Sequence, residues 1–391
     1  MIHAILKTSQ MVAVLGCASS CVYYALCLWS GSAFLRRSRH AANMSEKGAE
    51  LPPISILKPL KGIDPEIYES FRSHCLQDYP EYEIVFGVSD KDDPAIPSVE
   101  QLQREFPGRT IKLMVCPDIL GANVKVSNLH QMAAVARYGH LLVNDSDIRV
   151  EEDYLRRVVA PLLREDVGMV TCLYRGIATR TIGSRLEALG ISTDFCASVL
   201  AAQQFESGLH FGLGSTLMFR RRDLERIGGF VSIVDYLADD YELGRRISGL
   251  GLKVVLSDVV VETHLPSYDL RGFLLHQMRW ARGVRDARLG GYIGLASTFG
   301  IMWALLAVGS SRGSLWSWGL FGAVTLLRWT VAWLVGREAV QDRQDTLNPM
   351  WLISRDLIAA AVWFASFGGH TVTWRGDRFE LKNGRLIRIA N

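Results

Sequence analysis

Leu141 to Val150 reads LLVNDSDIRV. An apolar run breaks there into two aspartates, Asp145 and Asp147, separated by one serine. Short apolar runs that end in carboxylates read as buried strands of an α/β fold, where ligands sit at the carboxyl ends of the strands. The same texture continues outward. ISILKPL (54–60), YEIVFGVSD (82–90), TIKLMVCPD (110–118), VGMVTCLY (167–174), STLMFRR (215–221) and LKVVLSDVVVE (252–262) read as further strands. Stretches 65–77, 96–106, 125–137 and 153–164 read as helices. Strands alternating with helices of this length predict a mostly parallel, doubly wound sheet.

The flanks are different. Mean hydropathy of the chain is +0.14, and nine of its ten tryptophans lie from Trp280 onward, as interfacial aromatic belts require. The apolar segment 10–35 is long enough to cross a bilayer, which takes about 20 residues. It ends in no small-residue cleavage site and reads as an uncleaved anchor. Lys7 precedes it, whereas Arg36, Arg37, Arg39 and Lys47 follow, which predicts an external amino terminus and a cytoplasmic middle. Residues 41–52 read as a polar tether. Segments 291–310 and 314–335 are further span candidates. A third, 350–369, contains Arg355 and Asp356, and a mid-bilayer charge costs about 2.5–3.5 kcal/mol. It reads as re-entrant or interfacial, leaving the tail with Arg375, Arg378, Lys382, Arg385 and Arg388 inside. The expected division is an anchor at 1–40, a cytoplasmic domain at 41–285, and membrane segments with a basic tail at 286–391. A net charge of +3, with no basic-aromatic stripe, excludes a nucleic-acid partner. Seven cysteines without a CxxC read as small buried hydrophobes, not a zinc site.

Six places along the middle carry chemistry. Lys58, in ISILKPLKG, stands where a strand gives way to a loop suited to a nucleotide phosphate. Asp90 closes the next strand and can accept from a ribose hydroxyl or a base N–H; Asp92 and Asp93, before Pro94, read as turn acids. Asp145 and Asp147 can hold a divalent cation beside a diphosphate, and hard oxygen donors suit Mg²⁺ or Mn²⁺. Lys125 and Asn128 open a helix ahead of that strand and can face a nucleotide. In YLADDYELG (236–244), one of Asp239 and Asp240 can cap the helix while the other faces the cleft. A neighbouring carboxylate and burial raise a pKa, so Asp240 is the candidate general base and Asp239 its supporter. In HQMRW, Arg279 can clamp a diphosphate and Trp280 can stack on a sugar or base, or anchor at headgroup level. His276 and Gln277 face either the site or the helix. HFGLGST (210–216) carries glycines that suit either a close backbone approach to a ligand or a tight turn. Residues 184–204 form an amphipathic run that either packs on the core or lies on a membrane.

Taken in order, ILKPLKG, SDKDDPAI, NVKVSNL, NDSDIRV, GSTLMFRR, YLADDYELG and RW resemble the ceramide glucosyltransferase family, including similar bacterial glycosyltransferases of hopanoid biosynthesis. The resemblance spans about residues 10–290. It implies a GT-A fold of the family-2-like kind, a UDP-sugar donor and a single inverting displacement. It also implies Asp90 at the uridine, Asp145 at the metal and diphosphate, and Asp240 as base. His276 departs from the Gln or Arg usual before the Arg-Trp pair, and Asp147 completes a DxD that some relatives lack. The expected activity is transfer of a hexose, glucose or N-acetylglucosamine, to a lipid hydroxyl of ceramide or a hopanoid polyol. The setting is an integral membrane protein, in the inner membrane if the source is bacterial. A processive polysaccharide synthase and a non-catalytic nucleotide-sugar-binding membrane protein are the alternatives.

Overall fold

The computed structural model describes residues 1–43, 51–206, 208–344, 348–374 and 377–389. Lys47, most of the tether and Arg375 lie outside them. In chain order the elements begin with α1 (Ile2–Asn43), β1 (Ile54–Leu60), α2 (Ile67–Cys75), β2 (Tyr82–Val88), α3 (Ile96–Glu105), β3 (Thr110–Val115), α4 (Val124–Val135), β4 (His140–Val143), β5 (Ile148–Arg149), α5 (Tyr154–Val159) and β6 (Val167–Ile177). Then come α6 (Ile182–Gly190), α7 (Cys196–Phe205), β7 (Leu217–Arg220), α8 (Arg221–Arg226), α9 (Asp239–Gly249), β8 (Lys253–His264) and α10 (Leu270–Ala287). The chain closes with α11 (Leu289–Gly294), α12 (Gly300–Ser310), α13 (Leu315–Ala332), α14 (Pro349–Ser366), β9 (Thr371–Trp374), β10 (Asp377–Lys382) and β11 (Arg385–Arg388). Contacts divide these into a sheet unit (37–177, 206–266 and 384–391) and a helical unit (1–36, 178–205 and 267–383).

The sheet unit holds one eight-stranded sheet in the order β3-β2-β1-β4-β7-β6-β8-β5. β1 pairs in parallel with both β2 and β4, and β2 with β3. β7 runs antiparallel to β4 and β6, while β6 and β8 are parallel. β1 and β2 are buried along their whole length, which is why they read as mostly apolar runs and not as alternation; Ser55, Lys58 and Glu83 are the buried polar exceptions. Under them Ile56, Phe71, Phe86, Leu142 and Tyr154 share one core, with the Phe71 and Phe86 rings 4.7 Å apart. The buried cysteines Cys75, Cys116 and Cys172 pack here as small hydrophobes, in keeping with the sequence. The parallel β1, β2 and β4 deliver their carboxyl ends to one edge, where the acidic residues stand.

Among the described residues two helices are long and apolar enough to cross a membrane: His3–Arg39, and Leu315–Ala339, which continues α13 through a π-helical turn. The expected straight span at 291–310 is different. It breaks at Phe299, and its two halves meet at 59°, so it is either a broken span or a re-entrant loop. Close packing holds the bend: the Tyr24 hydroxyl donates to the Thr298 carbonyl at 3.0 Å, and a β-carbon on Gly300 would lie 2.8 Å from that hydroxyl. Likewise a β-carbon on Gly16 would meet the Trp303 ring at 2.4 Å, so small residues set the helix approach. α14 does not qualify as a span, as its charges suggest. Of those charges Asp356 is ion-paired: Arg328 donates to both its oxygens at 2.8 and 2.9 Å, and to the Thr193 carbonyl at 3.2 Å. Leu186, Leu189, Val199 and Leu200 of the amphipathic run are buried. Part of the tail folds as the antiparallel pair β9 and β10.

Candidate active site

The NDSD turn is held from below. Asn144 is fully buried at the end of β4, and its side-chain amide donates to the Ser215 carbonyl at 2.6 Å and the Tyr154 hydroxyl at 2.9 Å. The Tyr154 and Thr216 hydroxyls pair at 2.9 Å. Lys58 lies inside β1 and is fully buried, with its ammonium donating to the Asp145 carbonyl at 3.0 Å. The strand continues past the point where a phosphate loop was expected, so Lys58 supports the turn from beneath. Burial pushes its ammonium down to about 7, against the pull of Asp147, Asp145 and Asp64. Asp147 takes a hydrogen bond from the Thr263 hydroxyl of β8, and its carbonyl accepts from the His264 amide at 3.3 Å. Burial first, then the Asp145 charge, pushes the Asp147 carboxyl up to about 6.

Asp145 faces the other way, toward α4 and α9. Asn123 caps α4, accepting from the Val126 amide at 3.3 Å. That fixes the first turn of α4, from which the Lys125 ammonium reaches Asp145 Oδ1 at 2.7 Å and Asp239 Oδ2 at 3.1 Å. Burial works against the charge on Lys125, but Asp145 and Asp239 outweigh it, and its pKa is raised. Asn128, one turn on, is buried and accepts from the Ser89 hydroxyl at 3.0 Å.

α9 supplies Asp239 and Asp240. The cap residue is Ala238, with no side-chain cap, so Asp239 is a partner of Lys125 and not the helix cap. Asp240 Oδ1 accepts from the Tyr241 amide and Oδ2 from the Gly214 amide, each at 2.8 Å. A β-carbon on Gly214 would lie 3.1 Å from Asp145 Oδ2 and 3.2 Å from Asp240 Oδ2. The two carboxylates therefore converge on the space that the missing side chain leaves. α9 comes this close because Gly244 lies against the backbone of the HFGLGST segment: a β-carbon there would stand 2.2 Å from the Gly212 nitrogen. Burial, reinforced by Asp239, pushes the Asp240 carboxyl up to about 6, and Lys125 pulls it back.

Asp90 stands exposed at the end of β2, its carboxylate accepting from the Asp92 amide at 3.0 Å. Asp93 is more than a solvated turn acid. Both its oxygens accept from the Gly62 amide at 3.1 Å, tying the loop after β1 to the loop after β2.

Arg279 and Trp280 lie on α10 of the helical unit. Trp280 is 43 % exposed; its ring meets His276 edge-on at 6.0 Å and Phe195 at 6.1 Å. His276 and Gln277 turn toward the buried Glu187 of α6: Gln277 donates to Glu187 at 2.8 Å and accepts from Arg355 at 2.9 Å, and His276 Nδ1 lies 3.4 Å from Glu187. Their role within this unit is therefore to fix the face of α10.

Among the described residues no cluster of three or more His, Cys, Asp or Glu side chains could hold a metal ion as a protein cage. The carboxylates around Gly214 fit a different arrangement, a hard cation held through one or two carboxylates and shared with phosphate oxygens. Asn144, Thr263, Gly214 and Gly244 are contributions that the pattern of charged residues did not reveal. For Gly214 and Gly244 the signal was present, in the glycines of HFGLGST and YLADDYELG.

Ceramide glucosyltransferase 3 of Caenorhabditis elegans is 25% identical over 352 residues, covering 88% of this chain and 75% of that one. Ceramide glucosyltransferase 1 of the same organism is 22% identical over 398 residues, covering 97% and 82%. The ceramide glucosyltransferase of Komagataella phaffii is 35% identical over a shorter stretch of 126 residues, 30% of this chain and 25% of that one. Among solved structures, the mannosyltransferase PcManGT from Pyrobaculum calidifontis, in complex with GDP-Man and Mn²⁺, aligns with a TM-score of 0.49 and 18% identity over 89% of this chain and 99% of that one. The profile of glycosyl transferase family 21 matches residues 12–387; the chain belongs to that family and is a glycosyltransferase.

Proposed function

From that membership we propose that the protein transfers one hexose, glucose or N-acetylglucosamine, from a UDP-sugar to a hydroxyl of a membrane lipid, ceramide-like or hopanoid. The observation that carries this reading is the convergence of Asp145 and Asp240 on the open space at Gly214, with Lys125 between Asp145 and Asp239. A donor end and an acceptor end meet there. The names of the relatives favour glucose and ceramide.

Asp240 is the general base. It takes the proton of the lipid hydroxyl as that oxygen bonds to the anomeric carbon and the bond to UDP breaks, inverting the centre. A base of this kind contributes about 10²–10⁴-fold, and a carboxyl near 6 is ionised at neutral pH while still a competent proton acceptor. Asp145 would hold a divalent cation, with Asp147 adding charge two residues on; the ion, Mn²⁺ or Mg²⁺, supplies Lewis-acid neutralisation of the departing diphosphate. Lys125 keeps Asp145 and Asp239 in register and offers its ammonium to the phosphates. Lys58 holds the Asp145 backbone, and Asp90 addresses the uridine. Arg279 is assigned to the diphosphate and Trp280 to the sugar or base on the strength of the Arg-Trp motif. The two apolar helices suit an acceptor drawn from the bilayer, and the basic residues after the first support a cytoplasmic sheet unit.

The test is nucleotide release and glycolipid formation by Asp240→Asn and Asp145→Asn proteins. Loss of turnover with retained UDP-sugar binding in Asp240→Asn supports the base assignment; full activity removes it.

A further inference from the structure

We infer that strand β11 is a brace for the catalytic carboxylates and that Tyr236 is the positioning residue through which it acts. The reading rests on the roles proposed for Asp239, Asp240 and Lys125. Residues 234–237 lead directly into Asp239 and Asp240, and they belong to no strand of the main sheet. Their backbone groups must find partners elsewhere. On one side β11 provides them: the Leu237 amide donates to the Gly384 carbonyl at 3.1 Å, and the Leu386 amide to the Asp235 carbonyl at 2.7 Å. Tyr236 bridges Arg385 between those bonds, and its hydroxyl accepts from Arg385 Nε at 3.2 Å. Two guanidinium groups stand over its ring, Arg385 at 5.3 Å and Arg246 of α9 at 5.6 Å.

On the other side the same four residues hold the start of α4. The Asn123 amide donates to the Val234 carbonyl at 2.7 Å, the Asn123 side chain to the Tyr236 carbonyl at 2.8 Å, and the Ala122 amide to Asp235 Oδ1 at 3.0 Å. Lys125 follows two residues after Asn123. One short loop thus ties β11 to both partners of the Lys125–Asp239 bridge, although β11 lies more than 140 residues further along the chain than Asp240. β11 contributes no group to the reaction; it sets where the reacting groups stand.

Two variants test this: a chain ending at Asn383, and Leu386→Pro, which removes the amide that bonds the Asp235 carbonyl. Each is compared with the full chain for amide exchange, thermal midpoint, and kcat and donor KM with UDP-glucose and ceramide. The brace predicts that protection of 234–243 falls by at least about tenfold while the sheet strands keep theirs. It predicts that kcat falls by about tenfold or more with donor KM within about threefold, because the Asn144 network holds Asp145 independently. Unchanged exchange and unchanged kcat in both variants would overturn the inference. So would a loss of protection spread evenly over the sheet, which marks a general stabilising role. The base assignment fails separately: an active Asp240→Asn protein, beside local loss of protection in the truncated chain, removes the base and leaves the brace.

Discussion

Replacing Gly214 with alanine isolates the space where the two carboxylates converge. The backbone there is not left-handed, so alanine carries no torsional penalty. Its methyl group would stand 3.1 Å from Asp145 Oδ2 and 3.2 Å from Asp240 Oδ2. Carbon–oxygen contacts settle at about 3.3–3.6 Å, so each carboxylate must retreat by roughly 0.1–0.5 Å. Misplacement by 1 Å costs about 10²-fold in rate, and two retreats of this size predict a loss near 10-fold, about 1.4 kcal/mol in transition-state stabilisation. Stability should move the other way or not at all, because alanine for glycine at a compatible site gains about 0.4–1 kcal/mol through the unfolded chain. The assay is kcat/KM for nucleotide release beside a thermal melt. A protein that keeps kcat/KM within twofold would refute the convergence as the working site. A protein that melts markedly lower would show that the glycine serves packing.

Other expectations follow from the same geometry. Asp240→Asn should lower kcat/KM by about 10²–10⁴-fold, measured by glycolipid formation. In the unmutated protein kcat/KM should fall as pH drops through about 6, where the carboxyl takes up its proton. Because its folded pKa is raised above 3.8, Asp240 favours the fold at low pH, and that contribution is lost as pH rises through about 6; Asp240→Asn should therefore melt higher than the unmutated protein at pH 8. Gly244→Ala drives a β-carbon to within 2.2 Å of the Gly212 nitrogen and should cost about 1–3 kcal/mol of stability, read by denaturation, together with activity as α9 backs away. Asp356→Ala strands the buried Arg328 guanidinium and should cost about 3–5 kcal/mol, whereas the double change Arg328→Met with Asp356→Leu should recover most of it in a melt of the reconstituted protein.

The strands and the acidic stations at their ends were legible because each ends a mostly apolar run, and a sheet buried on both faces leaves that mark. Asp145 follows such a run at the end of β4, whereas Asp240 lies in the first turn of α9. Strand direction left no mark: β7 has the same texture as β4 yet runs opposite to it. Lys58 looked like a loop residue because a lysine in a buried strand is costly; the Asp145 carbonyl and the charges of Asp147, Asp145 and Asp64 account for its presence. Arg355 and Asp356 read as obstacles to a span; their partners, Gln277 and Arg328, are distant in sequence, so the pairing is visible only in three dimensions. The break at Phe299 depends on Tyr24 and Thr298 meeting, which no window over 291–310 contains. The glycines of HFGLGST were open to two readings, a ligand approach or a tight turn; Leu213 and Thr216 close a tight turn at 3.0 Å, and Gly212 and Gly214 lie against Asp240.

The most direct measurement incubates the bilayer-reconstituted protein and Mn²⁺ with UDP-glucose or UDP-N-acetylglucosamine, against ceramide and a hopanoid polyol, and weighs the lipids by mass spectrometry. A single hexose on one lipid, absent in the Asp240→Asn protein, is the predicted result. Bound nucleotide sugar without turnover on any acceptor, or a ladder of polymer in place of one glycolipid, would contradict it.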